Sequence, residues 1–86
     1  SVGEIFAANT FRFYPNPVRD ELTVANQNRI AINQIIVSDI MGRVVASKYL
    51  YGREKVVLDM SNLNAGLYFV TVMGEHKSFT SKIVKK

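Results

Sequence analysis

Leu67-Tyr68-Phe69-Val70-Thr71-Val72-Met73 is the stretch that decides the fold. Its residues are apolar, aromatic or β-branched, the types that pack well on a pleated surface. A period of two places Tyr68, Val70 and Val72 on one face. Downstream, Met73-Gly74-Glu75 turns the chain, and Lys77 to Val84 reads as a closing strand. Upstream, Ser61-Asn62-Leu63-Asn64-Ala65-Gly66 is a turn or one loop of 3₁₀ helix. Before it, Val56, Leu58 and Met60 alternate with Val57 and Asp59. In Leu63-Asn64-Ala65-Gly66-Leu67-Tyr68 the spacing suits a tyrosine corner, where a Tyr early in a late strand returns its hydroxyl to upstream backbone. A large core ring with its hydroxyl at the rim fits the same spacing.

Further toward the N-terminus the pattern repeats. Phe11 and Phe13 share a face with Arg12 opposite, and Pro15-Asn16-Pro17 stops that run, since two prolines withhold two amide donors. Leu22 and Val24 alternate with Glu21 and Thr23 up to Asn26-Gln27-Asn28. Ile35 and Val37 continue into Asp39-Ile40-Met41-Gly42, a hairpin turn with Asp at its start and Gly where φ is positive, and Val44-Val45-Ala46 returns. Six or seven short strands at this spacing predict an all-β, immunoglobulin-like antiparallel β-sandwich over residues 11–86, preceded by a linker or cleavage-region segment over 1–10. One segment argues otherwise: Ile32, Ile35, Ile36, Ile40 and Val44 also fall at helical spacing. The β-branched and turn-forming residues there weigh against an amphipathic helix.

Composition narrows the function classes. The 86 residues, 48% hydrophobic and 21% charged with five Gly and two Pro, are a folded domain, too ordered in composition for disorder or collagen. With no cysteine there is no disulfide framework, thiolate metal site or Cys nucleophile. No apolar run approaches the ~18 residues of a membrane-spanning helix. Ser1 is not an initiator Met and Ser1–Ala8 lacks the pattern of a signal peptide, so the chain reads as a mature product or a C-terminal piece.

The net charge of +4 comes from the second half of the chain, and Lys77, Lys82, Lys85 and Lys86 stand in the last ten residues without an acidic side chain, the terminal carboxylate offsetting one of them. A solvated lysine-rich end accounts for this, and so does a tail read by a partner. Nucleic-acid binding would call for bases spread along a face among stacking aromatics.

Catalysis needs a nucleophile or base beside an orienting partner. His76 is the single histidine, in a charged turn. Asp20-Glu21 is the adjacent carboxylate pair, and neighbours in a strand point to opposite faces. Neither metal-ligand spacing nor a glycine-rich phosphate loop is present. The expectation is a non-enzyme without cofactor, metal or catalytic residues.

Four segments in order resemble one family. They are Phe13-Tyr14-Pro15-Asn16-Pro17 with Asp20-Glu21-Leu22-Thr23-Val24; Ile35 to Val45 around Asp39-Ile40-Met41-Gly42-Arg43-Val44; Leu58-Asp59-Met60-Ser61-Asn62-Leu63-Asn64-Ala65-Gly66-Leu67-Tyr68; and Lys82-Ile83-Val84-Lys85-Lys86. Together they are similar to the C-terminal sorting domains (type A) of the type IX, or Por, secretion system over about residues 11–86.

The resemblance implies a secretion signal on a larger cargo protein, which reaches the periplasm of a Gram-negative bacterium and then crosses the outer membrane to the surface or the medium. The implied partners are an outer-membrane translocon and a sortase-like peptidase, with cargo attached to the surface after cleavage. Lys82, Ile83, Val84, Lys85 and Lys86 would be the recognition tail, residues 1–10 the cleavage region, and Pro15, Asn16, Pro17, Asp39, Gly42, Gly66 and Tyr68 the turns holding the fold. The edge of the last strand would suit strand addition by a partner or dimerisation. The alternative is a fibronectin-like accessory or adhesion module. Aromatic platforms would favour that alternative, but there is no Trp, and Phe11, Phe13, Tyr49 and Tyr51 do not form an evident patch.

Overall fold

The computed structural model describes residues 4–5, 11–26, 31–52, 55–74 and 77–86. Its strands are β1 (Glu4–Ile5), β2 (Phe11–Tyr14), β3 (Glu21–Asn26), β4 (Ile32–Asp39), β5 (Val44–Gly52), β6 (Val56–Asp59), β7 (Gly66–Gly74) and β8 (Lys77–Lys85). They form two sheets, ordered β1-β8-β7-β4-β5 and β2-β3-β6. Seven strands pair antiparallel, and the two-residue β1 runs parallel to β8. The all-β sandwich is therefore observed, and among the described residues there is no helix.

Alternation builds the core as the pattern required. Leu22 and Val24 from the small sheet meet Ile35, Val37, Val70, Val72 and Ile83 from the large one, all essentially without solvent exposure. Val56, Leu58 and Met60 close the small sheet's inner face. Phe11 is buried and Phe13 half-buried, both against Phe79 of β8, with ring centroids 6.5 and 6.0 Å apart. These rings bind the first long strand to the last across the two layers.

The helical spacing of residues 32–44 has a physical origin. A register shift between Ile32 and Gln34 puts both Ile32 and Ile35 inside, three residues apart. The bulge thus imitates one helical step within a strand. Ile40 and Val44, which completed the helical pattern, are exposed on the β4–β5 hairpin.

Candidate functional site

The turn residues singled out in the sequence gather, with the terminal segment, at one end of the sandwich. Asp39 organises the β4–β5 turn. Its Oδ1 accepts hydrogen bonds from the amides of Met41 (2.9 Å) and Arg43 (3.0 Å), and its Oδ2 pairs with Arg43 Nε at 2.9 Å. Gly42 N donates to Asp39 O at 3.0 Å with φ of 85°, the left-handed position a short hairpin loop needs. Partial desolvation raises the Asp39 pKa, but the Arg43 and Met41 hydrogen bonds and the Arg43 charge outweigh it, and the net shift is downward.

Asp39 is the register partner of Tyr68 on β7. Tyr68 is buried, and its Oη donates to the carbonyl of Asn64 at 2.7 Å, the geometry of a tyrosine corner. Gly66 begins β7 with φ of 154°, a backbone state that L side chains rarely adopt. Asp39, Ile40, Gly66 and Leu67 border a shallow groove at this end of the molecule.

Beside β7 lies the terminal strand. Tyr68 pairs with Ile83, Leu67 with Val84 and Gly66 with Lys85. The other side of the same segment is occupied by the Pro15-Asn16-Pro17 loop and the residue after it. Asn16 Nδ2 donates to Lys82 O at 3.4 Å, and its Oδ1 accepts from Val84 N at 3.1 Å, so one amide side chain takes the place of a neighbouring strand. Val18 N then donates to Val84 O (2.8 Å) and Lys86 N to Val18 O (2.8 Å), with Val18 bridged parallel to Lys85.

Two expectations about the tail change accordingly. The outer edge of β8 over Lys82–Lys86 is not open for strand addition, because Asn16 and Val18 already hold its outward backbone groups. Among the described residues the open long edge of the large sheet is β5. Nor are Lys85 and Lys86 a loose solvated end. Lys85 belongs to β8 and is only 8% exposed, its stem turned inward beside Ile83 and its Nζ donating to Lys86 O at 2.9 Å. Burying Ile83 stabilises the fold by about 1.5–3 kcal/mol, and the backbone bonds add about 1 kcal/mol each. Detaching the strand would therefore cost a large share of a small domain's stability.

Lys82, Val84 and Lys86 alternate with those inward residues and are exposed. Val18, with no exposed surface, is the positioning residue that sequence reading missed. Its signal was faint: a lone Val between a proline loop and Arg19-Asp20. His76 and most of residues 1–10 lie outside the described residues, and of that N-terminal segment only the backbone of β1 is described. Among the described residues no three His, Cys, Asp or Glu side chains come together as a metal site would require.

Residues 12–86 match the family model described as the secretion system C-terminal sorting domain. A search of curated proteins returned no match. Among solved structures, the sulfur carrier protein SoxY from Chlorobium limicola f thiosulfatophilum is similar, with a TM-score of 0.61, 18% identity, and coverage of 96% of this chain and 83% of that one. At that identity the likeness speaks to the fold alone.

Proposed function

The chain belongs to the secretion system C-terminal sorting domain family, and from that premise we propose that its Lys82–Lys86 strand end is the part of the signal read by the outer-membrane translocon. Membership makes the domain a type IX sorting signal on a larger cargo exported by a Gram-negative bacterium. The finer steps are our reading: a sortase-like peptidase cuts within residues 1–10, and the released cargo is attached to the cell surface. Catalysis by the domain itself forms no part of this proposal.

The family match over nearly the whole chain carries the proposal. The geometry supports it, because β7 on one side and the Asn16–Val18 segment on the other hold the terminal strand. A signal kept rigid is recognised with less ordering entropy than a loose tail. Of the sequence landmarks, the Pro15-Asn16-Pro17 loop bonds this strand directly and Leu67-Tyr68 pairs with it.

The test uses a periplasm-directed reporter carrying residues 1–86 at its C-terminus, in a bacterium with the type IX system. The wild-type fusion is expected outside the cell. With Lys82→Glu/Lys86→Glu, which alters two exposed side chains, the reporter is expected to stay in the periplasm while the domain's Tm is unchanged. Equal export of both fusions would mean that the Lys82 and Lys86 side chains are not read.

A further inference from the structure

Resting on the sorting-signal reading, we propose that the export machinery docks on the outer face of the large sheet, over Lys82, Val84 and Lys86 with Leu67 and Phe69. We propose further that its docking surface is a protein surface with an apolar centre and an acidic rim.

The register assembles this face. Leu67 of β7 lies beside Val84 of β8, and Phe69 beside Lys82, all turned away from the core. Val84 is 41% exposed, and Leu67 and Phe69 are half-buried, with no layer over them among the described residues. One step along the same face, Thr71 and Thr80 bond each other through their hydroxyls at 2.9 Å, a polar break on these two strands. Half-buried Ile36, beside Thr71 on β4, continues the apolar outer face.

Three observations select the occupant. The backbone edge of residues 82–86 is already bonded to Asn16 and Val18, leaving the outward side chains for a partner to read. Neither β7 nor the described part of β8 contains an acid, so Lys82 and Lys86 set a positive rim that suits an acidic one. A symmetric second copy would oppose these lysines with its own patch. An anionic lipid surface is held by clusters of four or more basic residues, and this face has two.

The reporter fusion described above tests the proposal through Phe69→Ser, Val84→Ser and Asn16→Ala, each checked for Tm. Phe69→Ser and Val84→Ser are expected to lower the exported fraction at least about fivefold in a folded domain, as for a contact at the centre of an interface. Should Phe69→Ser unfold the domain, Val84→Ser at the exposed position decides. Asn16→Ala, which loosens the hold on the strand, is expected to lower export as well. Undiminished export by folded Phe69→Ser and Val84→Ser overturns the proposal, as does greater export by Asn16→Ala, the signature of a tail read after release. Binding of the wild-type fusion to phosphatidylglycerol vesicles that Lys82→Glu abolishes would assign the face to lipid and overturn it too. A wild-type fusion that is not exported contradicts the sorting-signal reading itself.

Discussion

At Gly66 the backbone, not the space around it, sets the constraint. A Cβ added there would meet nothing within 4 Å, yet φ is 154°. A purely steric account expects Gly66→Ala to be harmless. The conformational account expects Ala and Val both to lose at least about 1 kcal/mol, or roughly 4–8 °C in Tm for a domain of this size. Thermal melts of both variants distinguish the two. Asp39 offers a second residue-scale test through its lowered pKa. A carboxylate whose folded pKa lies below its ordinary value of 3.8 stabilises the fold fully above that value and loses the contribution as pH falls beneath it. The Tm gap between wild type and Asp39→Ala should therefore be constant near neutrality and shrink below about pH 4; a gap unchanged into acid would remove Asp39 ionisation from the turn. Gly66 and Asp39 were legible in the sequence because their backbone demands limit the residues that can serve. Lys85 was not, since a buried lysine stem at a chain end reads as any other surface lysine.

Strands were legible where alternation ran unbroken, as in β3, β6 and β7. The difficulty at β4 came from one bulge, which shifts the inward set from Ile32 to Ile35 and so borrows the helical interval. Periodicity cannot separate a bulged strand from a short amphipathic helix without the pairing partner. The clamp on β8 was illegible for a related reason: its bonds join residues 66 or more apart in sequence and run through one Asn side chain and the backbone of one Val. That clamp changes the expected cost of shortening the chain. If the last lysines were only the solvated end that the charge pattern allows, loss of Lys85 and Lys86 would leave the sandwich almost untouched. The structure predicts a loss of about 1–3 kcal/mol, from the Lys86–Val18 bond and the Lys85 strand pairing and burial. Urea unfolding of the truncated and full chains measures it, and an unchanged midpoint would mean the Val18 bridge contributes nothing in solution. Export defects of that deletion would then confound stability with recognition, which the side-chain changes at Lys82 and Lys86 avoid.

On the scale of the whole molecule, two sheets bring together segments spread from Asn16 to Lys86 and fix the chain's last strand between β7 and the proline-flanked loop. The sandwich class was visible in the sequence because hydrophobic alternation and turn chemistry are local. The convergence of landmarks on one end was not, because it depends on strand order. The account's central claim is that this folded domain suffices to direct a cargo out through the type IX system. The most direct measurement is the distribution of a periplasm-directed reporter bearing residues 1–86, compared between a type IX-competent strain and its isogenic translocon deletion. The account predicts reporter at the surface or in the medium of the first strain and in the periplasm of the second. Reporter retained in the periplasm of both, or released equally by both, would contradict it.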